Sequence, residues 1–308
     1  MKFENTQVWG FEHALRGMRN PKNSWHLSDS WAMSFDDPDA DSHGGYWIGP
    51  KDMKLALALT NAGPEHRKFL RQIMISVDIT APLYWWKEFD TYKVATVANS
   101  TSTMHKIQSY PITRESFEMD DFVSGLKFPA HSNDEVLWNH DDFIDDLIDY
   151  LENLRLEYNA TIDALKLPQG DPDKVAELQE HAYVVWKELI RWLPESWLQT
   201  RTVTFNYETV RAMCSPGQRR FHKLNEWSGI HAEVKECFIS WARTLPYAEQ
   251  FIFTDEMPKP EKRLIDKIVD ALAILGVKAK DEKGNFRLFA YIMDDVAKVY
   301  SEAMKEQN

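Results

Sequence analysis

The densest chemistry in this chain lies in RTVTFNYETVRAMCSPGQRRFHKLNEW, residues 201–227, where Arg201, Arg211, Arg219, Arg220 and Lys223 stand close together. The whole chain has 36 Lys and Arg against 48 Asp and Glu, a net charge of -12, so a cationic cluster needs a reason. A guanidinium fork matches phosphate oxygens two at a time, which points to a nucleotide or a cofactor phosphate. The competing account is that these arginines pair with acidic helices. A second polar set lies in residues 66–106: His66, Glu88, Lys93, Asn99 and Ser102, the last two in a run of small hydroxyl and amide residues. Arg16 and Arg19, at the start of a Pro- and Ser-rich stretch over 17–45, are further candidates for holding phosphate or closing over a site, against the alternative of a long surface loop. Cys214, His222, Glu226, His231 and Cys237 fit no common ligand spacing, and Asp141, Asp142, Asp145, Asp146 and Asp149 read as a solvated helix face, so no metal is expected. Glycine-rich phosphate loops, Cys-x-x-Cys, His-Glu-x-x-His and Gly-x-Ser-x-Gly are all missing.

The elements that must carry these residues are legible from periodicity. Ile73, Ile75, Val77 and Ile79 alternate with polar residues, the mark of a strand with one buried face. Ala81-Pro82 ends that strand and opens an aromatic helix over 83–92, bearing Tyr84, Trp85, Trp86, Phe89 and Tyr92. Strand, aromatic helix and the following polar loop suggest walls for a planar ligand. Helical spacing is expected over 66–72, 50–62 and 206–213. Thr6 to Arg16 reads as a short apolar run leading into a helix. Ser132-Asn133-Asp134 is expected to cap a long amphipathic helix ending near Lys166, and Asp171-Pro172 opens a second that stops at Pro194. A short turn between them implies antiparallel packing. Thr200 to Phe205 reads as a strand, Leu224 to Leu245 as one helix, and the tail from Pro258 as two helices.

With 308 residues the chain can bury a substantial core. The net charge argues against binding a nucleic-acid polymer. Two cysteines are too few for a disulfide framework, no run of apolar residues reaches spanning length, and the start carries no signal-like core. A cytoplasmic location without membrane association is therefore expected. The 12 tryptophans suit aromatic ligand walls or a subunit interface.

The two polar segments resemble the flavin-dependent thymidylate synthase family, ThyX. His66, the strand to Ile79, Ala81-Pro82 and Glu88 fall in the family's register, with Glu88 where the family has Gln. Thr91-Tyr92-Lys93 stands in place of the family's Arg-His-Arg. In the next loop Asn99 and Ser102 match the family's Asn and second Ser, and Met104 replaces its Arg. Asn206 matches a flavin-binding Asn, and Arg219 or Arg220 with His222 match an Arg and His that follow it. The resemblance spans roughly 8–250 and implies an α+β ThyX-like fold, mainly helical with a small central sheet. A catalytic domain over 1–252 would be followed by a helical extension over 253–308. It implies transfer of a methyl or hydroxymethyl group from 5,10-methylenetetrahydrofolate to C5 of a pyrimidine nucleotide such as dUMP, using FAD and NADPH in a homotetramer with shared sites. Ser102, Arg219 and Arg220 would be catalytic, with Glu88, Asn99 and Arg211 joining them in nucleotide binding. His66, Lys93, Asn206 and His222 would face the cofactor. A carboxylate at position 88 accepts hydrogen bonds without donating, which suits a ring bearing an amino group. The alternative is a non-catalytic member of the same fold that binds a nucleotide or a partner.

Overall fold

Ile75, Val77 and Ile79 do what their alternation requires: all three are buried, while Ser76, Asp78 and Thr80 between them stay half-buried on the opposite face. The computed structural model describes residues 1–34, 36–129, 137–168, 170–231 and 234–254. Met1–Thr254 forms one compact unit. From residue 255 onward the expected helical extension lies outside the described residues, as does the expected cap at Ser132-Asn133-Asp134.

In chain order the strands are β1 (Lys2–Trp9), β2 (Trp31–Ala32), β3 (Tyr46–Trp47), β4 (Met74–Pro82), β5 (Val97–Ser100), β6 (Lys127–Pro129), β7 (Leu137–Asn139) and β8 (Leu198–Asn206). The larger helices are α1 (Phe11–Arg19), α2 (Pro50–Asn61), α3 (Leu83–Phe89), α5 (His140–Lys166) and α6 (Pro172–Arg191). The others are α4 (Thr103–Lys106), α7 (Tyr207–Met213), α8 (Asn225–Ser228), α9 (Phe238–Arg243) and α10 (Ala248–Phe251). The main sheet has the order β1-β4-β8-β5, with every neighbour antiparallel. With helices set around this sheet, the class is α+β as expected.

Register fixes the two faces of the sheet. Ile75 lies opposite Phe205 and Val77 opposite Val203, so their side chains enter one core with Phe11, Leu15, Trp85, Trp86 and Phe238. On the other face Thr80 and Thr200 share a hydrogen bond of 2.7 Å, and Thr202 Oγ1 donates to Asp78 at 2.5 Å. Cross-strand pairs of this kind hold register as well as adding stability.

The structure departs from the periodicity reading in several places. β1 is a full strand where only a short apolar run was expected, because at an edge the backbone supplies the pairing and side-chain alternation is not demanded. Its corner into α1 turns at Gly10, with φ +96, and a Cβ there would stand 2.3 Å from the Gln72 carbonyl oxygen. The polar run after Lys93 contains β5, which pairs with β8 through Asn99 opposite Thr202. Over 66–72 the backbone forms a 3-10 turn, Lys68–Gln72, instead of an α-helix. Helix α5 starts at His140, with Asn139 Oδ1 accepting from the Asp141 amide. The single helix expected over 224–245 is broken into α8 and α9 because Gly229, at φ +64, ends α8 in the left-handed conformation.

Helices α5 and α6 are antiparallel. Ile148 and Leu151 share a small apolar cluster with Leu189, and Glu157, farther along α5, meets His181, earlier on α6, at 2.8 Å. Among the described residues no helix is long and apolar enough to cross a membrane.

Candidate functional site

Helix α3 points Glu88 away from the core that its Trp85, Trp86 and Phe89 fill. Those three aromatics are 0–1% exposed, so they are core and not the ligand wall that the sequence suggested. The turn after α7 brings Arg219 and His222 to the same carboxylate. Arg219 Nη1 lies 2.9 Å from Glu88 Oε2, Trp227 Nε1 donates to that oxygen at 3.0 Å, and His222 Nε2 faces it at 3.5 Å. The Arg219 guanidinium lies over the Trp227 ring at 5.1 Å and the Tyr92 ring at 5.6 Å, while Tyr92 Oη donates to Gln218 at 3.1 Å. Of the aromatics suggested as ligand walls Tyr92 is the one that meets Arg219, and Trp227 joins it from the cationic segment. Tyr92 sits in the tripeptide that replaces Arg-His-Arg, and Trp227 closes the cationic segment, which are the further signals the sequence held.

His222 is fixed in one tautomer. Its Nδ1 accepts from the Leu224 amide at 3.2 Å, which leaves the proton on Nε2 facing Glu88. Burial, then the charges of Arg219 and Lys223, hold its pKa below the ordinary 6.5 against the pull of Glu88. The imidazole is accordingly neutral near pH 7.

A second group gathers around the start of α7. Asn206 caps that helix by accepting from the Thr209 amide at 3.0 Å, and Thr209 Oγ1 donates to the Val94 carbonyl at 3.4 Å, bringing Lys93 alongside. His66 precedes Arg67, whose Nε binds Glu208 at 2.9 Å on the same helix. His66 and Lys93 are exposed and have no side-chain partner among the described residues.

The other expected site residues are placed elsewhere. Arg211 Nη1 donates to the Phe251 and Ile252 carbonyls at 3.0 and 3.2 Å, closing the end of α10. Arg220 is 4% exposed, donates from Nε to the Cys214 carbonyl at 2.7 Å and lies over Phe253. Arg201 stacks on Trp86 at 4.2 Å and pairs with Asp90. Asn99 lies on the edge strand β5, and Ser102 caps α4 by accepting from the His105 amide at 3.1 Å. Ser102 also lines a cleft of about 1440 Å³, bounded by the first residues of β1, by 101–120 and by Trp197. Arg19 is buried against Asp52 and is not available to phosphate, because the buried carboxylate claims it. Arg16 lies over the ring of Trp25 at 5.9 Å.

Between the cleft and the Glu88 cluster, Tyr84 Oη donates to Glu226. Burial raises the pKa of Glu226 above 4.5, and Glu118 and Asp121 raise it further against the Tyr84 bond. Among the described residues no three His, Cys, Asp or Glu side chains gather as a metal site would require.

No protein-family model matches the chain, and no curated protein matches it. Several solved structures are similar to it. Flavin-dependent thymidylate synthase ThyX from Helicobacter pylori, complexed with FAD and dUMP, is 16% identical with a TM-score of 0.49, covering 83% of this chain and 99% of that one. The UMP/dUMP methylase PolB from Streptomyces cacaoi, bound with 5-Br dUMP, is 13% identical with a TM-score of 0.42, covering 82% of this chain and 95% of that one.

Proposed function

We propose that this protein is a flavin-dependent enzyme that transfers a one-carbon group to C5 of a pyrimidine nucleotide. The observation that carries the proposal is the meeting of the two polar segments at Glu88, Arg219 and His222. These residues are far apart in sequence, and the same segments carry the ThyX resemblance. Arginine and neutral imidazole beside a fixed carboxylate form a hydrogen-bonding edge suited to a heterocycle, with the rings of Tyr92 and Trp227 packed against the guanidinium.

The donor set around α7 suits an anionic, hydrogen-bonding cofactor. Lys93 supplies a free cation, His66 an imidazole and Asn206 an amide, and these are the residues that would hold a flavin in place of the family's Arg-His-Arg. When bound, the flavin supplies reducing electrons, drawn from NADPH, and 5,10-methylenetetrahydrofolate supplies the carbon. The chain's own groups orient and polarise. Arg219 donates toward a ring carbonyl or nitrogen and would stabilise the negative charge held there while C5 is nucleophilic, before it attacks the one-carbon donor, and the tryptophan and tyrosine around it exclude water. His222 keeps a proton on Nε2 and holds Glu88 still. Among the described residues Asn99 and Ser102 make no side-chain bond to this cluster, and in the proposed homotetramer a neighbouring copy supplies them.

The test is the purified chain itself. Flavin absorbance bands, together with a nucleotide product heavier by CH2 or CH2O after incubation with methylenetetrahydrofolate and NADPH, are expected. A colourless protein that leaves dUMP and dCMP unaltered overturns the proposal.

A further inference from the structure

The Glu88 carboxylate is held from one side only. Arg219 Nη1, Trp227 Nε1 and His222 Nε2 all converge on Oε2, so the carboxylate cannot rotate without losing them. Among the described residues no hydrogen bond reaches Oε1, although the side chain is only 31% exposed. Arg219 is likewise half-used: Glu88 is its one charged partner among the described residues, its buried Nε has no hydrogen-bond partner there, and its guanidinium lies over the rings of Tyr92 and Trp227. The pair therefore presents a fixed acceptor beside a fixed donor. Glutamine in the same place could turn its amide to suit either kind of ligand edge, whereas an ionised carboxylate only accepts.

Resting on the nucleotide reading above, we propose that Glu88 Oε1 accepts from an exocyclic amino group, so that the preferred substrate ring is a 4-aminopyrimidine, the cytosine class, and not the 4-oxo class. In a 4-aminopyrimidine the amino N–H is terminal, and the adjacent ring nitrogen is an acceptor for a guanidinium donor standing beside the carboxylate. This is the same pairing by which glutamate and aspartate read the cytosine amino group elsewhere. In a 4-oxo ring the single N–H is flanked by two carbonyl oxygens, and both would be turned toward the carboxylate. A site built to bind one pattern rejects the other because its own polar groups are left unmatched.

The experiment is calorimetric binding of dCMP, dUMP and the pyrimidin-2-one nucleotide lacking a 4-substituent to the full chain, repeated with Glu88→Gln. The unaltered chain is expected to bind dCMP about tenfold or more tighter than either of the others, the effect of one charge-assisted bond. Glu88→Gln is expected to bring dCMP and dUMP to near parity or to reverse their order. Equal or tighter binding of dUMP to the unaltered chain overturns this inference and leaves the nucleotide reading standing. An equal loss for both nucleotides in Glu88→Gln also overturns it, since a residue that merely positions Arg219 would not discriminate. Binding of none of the three overturns the nucleotide reading and this inference together. The measurements on the unaltered chain decide the matter even where the variant folds poorly.

Discussion

Two arginine–carboxylate pairs in this molecule look alike on paper and differ in how fully they are used. Arg19 pairs with Asp52 at the base of the 20–47 segment and also donates to the Ser24 carbonyl at 3.2 Å and to Ser24 Oγ at 3.3 Å. Asp52 in turn accepts from Ser28 and Ser30, at 2.5 and 2.6 Å, and is 0% exposed. Arg219 with Glu88 has donors and acceptors to spare, at 17% and 31% side-chain exposure. A saturated pair pins a loop to a helix and has nothing left to offer a ligand. An incomplete one costs stability in isolation and recovers it only when something binds.

That contrast is broken most directly by Asp52→Ala. Removing one member of a buried pair leaves the other charge stranded, so a loss of about 3–5 kcal/mol is expected in urea unfolding. A loss below about 1 kcal/mol would mean that the pair is no more structural than its counterpart. Arg219→Ala should act the other way round, weakening nucleotide binding by about 1.5–3 kcal/mol while unfolding shifts by about 1 kcal/mol or less. Unchanged affinity there would remove Arg219 from the site. Ser102→Ala deletes the cap of a four-residue helix and should cost about 0.5 kcal/mol of stability. Its turnover should fall by more than that implies, and a large stability loss with full activity would show Ser102 to be structural.

The finest distinction is in pH dependence. Burial pushes the pKa of Asp52 up, but bonds from Ser28, Ser30 and Arg19 outweigh it and hold the group below 3.8. Its stabilisation is thus present above 3.8 and lost as pH falls through the lower folded value. His222, also depressed, contributes stability that is present above 6.5 and lost as pH falls from there through its own folded value. Stability should therefore decline in two stages on acidification, and His222→Gln should flatten the first stage alone. A first stage that persists in His222→Gln would place its origin in another group.

Local patterning revealed what local physics controls. The alternation of β4, the Ala81-Pro82 break and the stripes of α5 and α6 each follow from burial of a periodic face, and each was legible. β1 and β5 were not, since an edge strand takes its order from a neighbour far away in sequence. The clustering of cations over 201–223 was also legible, but their division was not. Arg211 and Arg220 serve backbone carbonyls, while Arg219 alone turns to Glu88, and that outcome depends on where α10 and α3 end up. Periodicity likewise could not tell that Trp227, buried against Trp85 in the core, would turn its Nε1 to Glu88.

The corner at Gly10 carries a consequence for variation. A methyl group there would collide with a carbonyl oxygen that cannot retreat, because Gln72 leads directly into β4. A saturation scan should find this position as intolerant as any in the protein, although it performs no chemistry. Intolerance to substitution is therefore a poor guide to reactivity in this chain.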